Sequence, residues 1–259
     1  MQNPDVCILI PRVDDFGVSP GTNDAIIDTI DAGFIRNVGV MAPGPFLEHR
    51  LEDLLERQSR ICLGVHATLH SEWANVRWGP VLPASEVPSL VEDDGTFHRH
   101  PRMLEKEGAL AEAEAETQGQ IDKLRGLGLE PQYLDCHMVF TWVRGMAEIV
   151  EKLCRRNNLA YANAPDFETL PLSLHAGAPD HILPRLEAIT AHRTGPLVWV
   201  FHPAYRDAVS AQFYPDSATP SRDVSRQRAI EAECLTDAGL CKALQAASFI
   251  QLATYCDGA

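Results

Sequence analysis

The sequence predicts an α/β fold, a single-domain (β/α) barrel of distorted TIM type, on three observations. Short β-type apolar runs alternate along the chain with segments of helical periodicity, which is the pattern of a parallel sheet with crossover helices. Four of those runs are followed within two residues by Asp or His, as expected where strand ends form a functional rim. The chain has 259 residues, 45% of them hydrophobic and 22% charged, a length and an apolar content that suit one barrel.

The elements follow in order. β-type runs end at Val13 (CILIPRV), Met41 (NVGVM), Val65 (ICLGV), Asp135 (YLD), Phe201 (LVWVF) and Ala253 (FIQLA). The first helix is bounded in sequence: Ser19 is a good N-cap, Pro20 suits the first helical position, Ile26, Ile27 and Ile30 form an apolar stripe, and Gly33 closes it. It is expected from about Pro20 to Ala32. Phe46, Leu47, Leu51, Leu54 and Leu55 form a second stripe, and Leu110, Ile121, Leu124 and Leu127 a third that stops at Gly126, Gly128 and Pro131. A fourth helix is expected to begin near Thr141 and to carry Trp142, Met146, Ile149, Val150 and Leu153. Fainter stripes run from Ala229 to Leu235 and from Leu240 to Leu244. The stretch from His70 to Pro101 breaks this rhythm. It is rich in Pro, Trp, Ser and acidic residues, and a long loop of that kind in a compact domain is usually functional. No linker divides residues 1–259.

The charge balance narrows the function. With 22 Lys and Arg against 36 Asp and Glu, the net charge is -14, which argues against nucleic-acid and anionic-membrane partners because those draw affinity from clustered cations. A small-molecule substrate fits better. The N-terminal MQNPDVCILIPRVDD lacks signal-peptide features and no apolar run reaches membrane-spanning length, so a soluble cytoplasmic protein is expected, with a homo-oligomer left open. Seven scattered cysteines without a C-x-x-C pair suggest neither a disulfide framework nor a cysteine zinc site.

Asp14 and Asp15 follow the first run, His66 the third, His137 the fourth and His202 the fifth. The carboxyl ends of parallel strands open on one face, so these residues should converge. Two imidazoles and a carboxylate with open coordination positions suit one divalent metal, zinc best and magnesium as the alternative. Each histidine alone reads more readily as structural, and the DD dipeptide alone as a turn; together they read as a site. Trp73, Trp78 and Tyr205 fall in or beside the mouth loops, where aromatic faces can stack on a sugar. His49, His70, His98, His100, His175, His181 and His192 have no evident partners and read as solvated or structural, His70 being the closest in sequence to a candidate ligand.

In order along the chain, VDDFGVSPGTNDAI, GVHATLHSEW, YLDCHM, VFHPAYRD and FIQLATY resemble the YdjC-like carbohydrate deacetylase family, which includes chitooligosaccharide deacetylases. The likeness runs from about Val13 to Tyr255. It implies a distorted (β/α) barrel and a hydrolase of a linear amide C–N bond that removes an N-acetyl group from an amino sugar or oligosaccharide by attack of metal-bound water. It further implies Asp15, His66 and His137 as metal ligands, Asp14 as general base and His202 as general acid. Adjacent residues of a regular strand point to opposite faces, so Asp14 and Asp15 can share the site only if the strand turns there. Two departures bear on the substrate: Met138, Val139 and Phe140 stand where many members carry histidines, and Ala204 replaces the Gly of an H-P-G motif. Two alternatives remain, a metal-dependent hydrolase of a non-sugar amide and a non-catalytic metal-containing binding protein; the paired proton carriers argue against the second.

Overall fold

A computed structural model describes residues 6–164, 166–174, 181–191, 193, 195–214 and 223–257; His175 and His192 lie outside them. The strands are β1 (Cys7–Phe16), β2 (Asn37–Val40), β3 (Cys62–Ala67), β4 (Tyr133–Cys136), β5 (Ala160–Tyr161), β6 (Glu168–Thr169), β7 (Leu197–Phe201) and β8 (Ile250–Leu252). The helices are α1 (Pro20–Asp31), α2 (Leu51–Arg57), α3 (Ala109–Gly126), α4 (Met146–Asn157), α5 (Ile182–Thr190), α6 (Val224–Thr236) and α7 (Ala238–Ala246).

The strands form one sheet in the order β5-β4-β3-β2-β1-β7-β6, with β8 pairing β1, and each ladder is parallel. This is the expected α/β barrel in distorted form. A regular barrel would place the last strand along the whole of the first; here β7 takes Leu9–Val13 of β1 and β8 only Cys7–Leu9. Among the described residues no ladder joins the outer strands β5 and β6, so the sheet is curled and unclosed.

Side-chain alternation sorts the residues into an inside and an outside. The larger core lies between sheet and helices and holds Leu9, Val13, Ile26, Val38, Val65, Leu134, Leu186 and Phe201. A second cluster contains Ile10, Cys62, Tyr133, Ala162, Val198, Ala253 and Tyr255 and occupies the concave side. Two and four residues further along the strands from Ile10, Tyr133 and Val198 stand Arg12 and Asp14, Asp135 and His137, and Val200 and His202.

Ser19 caps α1 as expected, its hydroxyl accepting from Thr22 N at 3.1 Å. Three expectations need correction. The first strand continues through the DD pair to Phe16 rather than ending at Val13. The second helix starts at Leu51, so Phe46 and Leu47 lie in the turns before it. The fourth starts at Met146: a tight 3-10 segment from His137 to Trp142 intervenes, with Met138 and Val139 at φ 53° and 50°, and Gly145 (φ 92°) turns the chain into α4. Helix α5 and the two-residue strands β5 and β6 had no sequence reading, because such short strands show no period.

The long loop after β3 is packed down. Trp73, Trp78, Val87, Leu90 and Phe97 join the larger core, Val91 and Phe97 form an antiparallel bridge, and buried Glu116 of α3 accepts from Val81 N and Leu82 N at 2.9 and 3.0 Å. No described helix is long and apolar enough to cross a membrane.

Candidate metal centre

The site begins with a departure from regular strand geometry. Asp14 follows Arg12 on the concave face, and alternation would send Asp15 to the other side. Instead Asp15 takes φ 73°, in the left-handed region where Asp is one of the less penalised residues, and the β1–β2 register slips between Val13 and Phe16. Both carboxylates therefore face His66: Asp14 Oδ1 lies 3.8 Å from its Nδ1 and Asp15 Oδ1 3.4 Å from its Nε2. Room for Asp14 comes from Gly39 on β2, where a Cβ would stand 2.5 Å from Asp14 Oδ1.

His66 ends β3 and His137 follows β4, two residues after Asp135. His66 Nε2 and His137 Nδ1 are 3.0 Å apart, and each is within 3.4 Å of Asp15 Oδ1. These three buried atoms form a triangle of the size that ligands around one small divalent cation adopt. Asp15 Oδ1 has no hydrogen-bond partner, an orphaned acceptor that a cation would satisfy. The donor set of two nitrogens and one carboxylate oxygen fits a small divalent cation.

The opposite edge of each imidazole is anchored. His66 Nδ1 meets Asp135 Oδ2 at 2.7 Å and His137 Nε2 meets Glu72 Oε2 at 3.0 Å, the carboxylate–histidine arrangement that orients metal-ligating rings. Arg228 of α6 holds Asp15 Oδ2 at 2.6 Å, while Arg12 reaches Asp14 Oδ2 through Nε and Nη2 at 3.1 and 2.8 Å, Asp135 Oδ2 at 3.2 Å and Tyr255 Oη at 2.9 Å.

These surroundings drive the two neighbouring carboxylates apart in acidity. Burial pushes Asp14 up, and Arg12 only partly offsets it. Burial acts on Asp15 as well, but Arg228 and the nearby imidazoles of His137 and His66 outweigh it and hold the group well below the usual carboxylate range. Such a split marks one carboxylate for a proton and the other for a cation. Burial lowers the imidazoles, yet Asp135 and Asp14 hold His66 well above its usual value, and Glu72 and Asp15 raise His137 to about 9. The pocket's field thus favours positive charge between the rings.

His202 closes the opposite wall. Its backbone N donates to Glu231 at 2.5 Å, and burial lowers its imidazole pKa against the attraction of Asp15. Asp14, Asp15, His66, His137 and His202 line one cavity of about 570 Å³ together with Glu72, Trp73 and Arg228.

Of the aromatic candidates, Trp73 lines this cavity, stacked on Phe213 at 5.1 Å. Trp78 is buried behind it: its indole N–H donates to His70 O and its ring meets His137 edge-on at 6.1 Å. Tyr205 stands away from the cavity lining, its hydroxyl donating to Asp28 of α1 at 2.8 Å. Ala204 is buried without positive φ, so no glycine is required there.

The family model described as YdjC-like protein matches residues 8–246. The chain belongs to the YdjC-like family.

Proteins named carbohydrate deacetylase are similar to this YdjC-like chain over part of its length. That of Halalkalibacterium halodurans is 29% identical over 155 residues, 58% of this chain and 61% of the relative. That of Enterococcus faecalis is 30% identical over 129 residues, 50% of this chain and 47% of the relative. The matched part thus spans about half to three fifths of those relatives' lengths. A solved structure from Enterococcus faecalis, described as a candidate cellobiose-phosphate cleavage protein, superposes with a TM-score of 0.78 at 23% identity, covering 96% of this chain and 98% of that one, and shares the fold.

Sequence reading missed the supporting residues of the YdjC-like site. Arg12 and Asp135 carried a usable signal, since each lies two residues before a candidate on the same strand face. Glu72, in an aperiodic loop, and Arg228, on a helix far along the chain, carried none.

Proposed function

We propose that this chain is a metal-dependent hydrolase that removes the N-acetyl group of an amino sugar or oligosaccharide. The observation that carries the reading is the buried triangle of Asp15, His66 and His137 flanked by two further proton-carrying groups of opposite kind, Asp14 and His202. Pure binding would need neither. Relatives named carbohydrate deacetylase support a carbohydrate substrate.

Asp15, His66 and His137 would hold the ion, with zinc favoured by the nitrogen-rich donor set and magnesium the alternative. When bound, the ion supplies Lewis-acid polarisation of the amide carbonyl and acidifies a water. Asp14, raised by burial, takes the proton of the attacking water as general base. His202, on the opposite wall of the cavity, gives a proton to the departing nitrogen as general acid. The carbonyl carbon gains the water oxygen, the C–N bond breaks, and acetate and the free amine leave. Arg12 keeps Asp14 oriented, and Asp135 and Glu72 keep the imidazoles in register. Trp73 offers an aromatic wall to the sugar; for Trp78 a supporting role behind His137 is the better reading.

Acetate release from a panel of N-acetylated sugars and non-sugar amides by metal-loaded protein tests the proposal. Release from the sugars is expected. Cleavage confined to non-sugar amides would move the assignment to another amidohydrolase, and no cleavage would favour a binding protein.

A further inference from the structure

The cavity that holds the metal-binding triangle does not stop there. Its lining continues past Arg12 to Ala162, Phe167, Val198 and Val200. Val198, Val200 and His202 alternate onto one face of β7 and its continuation. Val198 pairs with Ile10 and Val200 with Arg12, so the recess runs from the level of His202 towards the strand starts over four residues, about 13 Å. Behind Phe167, the ring of Tyr255 meets it edge-on at 5.2 Å.

The chemistry of this recess is one-sided. The Arg12 guanidinium beside it is engaged by Asp14, Asp135 and Tyr255, Asn163 spends its side-chain oxygen on Cys136 N at 3.0 Å, and Thr169, paired with Val198, brings a hydroxyl only at the exposed outer edge. A sugar ring placed against Ala162, Phe167, Val198 and Val200 would bury more hydroxyls than these few polar groups can satisfy, at a cost of about 1–3 kcal/mol for each one left unpaired. The sugar therefore belongs at the mouth. With the scissile amide at the triangle, the group directed inward is the acyl group, and an acetyl methyl fills little of a cavity of about 570 Å³.

Resting on the proposed deacylase reading, we infer that the substrate is an amino sugar whose N-acyl group is an alkyl chain longer than acetyl, seated against Ala162, Phe167, Val198 and Val200. One water is consumed, the amide C–N bond breaks, and the products are the free amino sugar and the chain's carboxylate.

The test compares kcat/KM for N-acetyl-, N-butyryl- and N-hexanoylglucosamine with metal-loaded protein. Burial of each added methylene should raise kcat/KM by about fourfold until the recess is full. Val200→Phe should fill the recess and reverse the order, the hexanoyl substrate losing at least about tenfold relative to acetyl. Val200→Thr, which keeps the shape and adds a hydroxyl, should weaken the hexanoyl preference without reversing it. Turnover of the acetyl substrate with flat or falling rates for longer chains overturns this inference and leaves the deacetylase reading standing. If no N-acylglucosamine is hydrolysed, the deacetylase reading fails for this sugar, and equilibrium binding of the same series to Asp14→Asn decides the recess: tighter binding of the hexanoyl member upholds it, and equal binding overturns it.

Discussion

Asp14 and Asp15 are neighbours in the chain, yet both turn a carboxylate to the same imidazole, at 3.8 and 3.4 Å from the two nitrogens of His66. The left-handed backbone at Asp15 makes this possible. The two should respond differently to neutralisation. Asp14→Asn is expected to keep the ion and lower kcat by about 10²–10⁴-fold, the usual scale for a lost general base. Asp15→Asn is expected to lose the ion. Metal analysis beside steady-state kinetics separates the two.

Asp135 acts through His66. Replacing it by Asn removes the ionised acceptor at 2.7 Å from Nδ1, and the expected result is metal affinity weakened by about 10–100-fold. Competition with a chelating dye measures this. Unchanged affinity would mean that Asp135 serves Arg12 alone.

Gly39→Ala is expected to displace the base without touching a ligand nitrogen. The added Cβ would lie 2.5 Å from Asp14 Oδ1 and 3.3 Å from His66 Cβ. The nearer contact must be relieved by moving the Asp14 carboxylate. Lower kcat with full metal occupancy is expected, read by kinetics and metal content of the same preparation.

The legibility of this molecule in its sequence followed physical range. β1, α1, β3, β4 and β7 could be read because their signals are local: apolar runs, a Ser-Pro start, chemistry-bearing residues at strand ends. Convergence of Asp15, His66 and His137 followed from parallel topology alone. The left-handed turn at Met138 and Val139, which delays α4, could not be read, since neither residue favours positive φ. Glu72, Arg228 and Gly39 reach the site only through tertiary packing. Tyr205 shows the converse error of proximity: three residues after His202, it turns away to Asp28.

Metal binding should strengthen as pH rises. In the metal-free protein His137 is raised to about 9, chiefly by Glu72 and Asp15 against burial, so its imidazolium contributes stability that is fully present below its ordinary value near 6.5 and lost as pH rises through about 9. An ion must displace that proton. Below about pH 9 the apparent metal dissociation constant is expected to rise by up to about tenfold for each unit that the pH falls, per displaced proton. Zinc titrations followed by calorimetry at pH 6, 7 and 8 check the slope.

The most direct test is metal content per chain for wild-type protein, His66→Ala, His137→Ala and Asp14→Asn, each shown to be folded by circular dichroism. One ion is expected in wild-type protein and in Asp14→Asn, and none in either histidine variant. Retention of a full equivalent in His137→Ala, or its loss from folded Asp14→Asn, would contradict a single ion held by Asp15, His66 and His137.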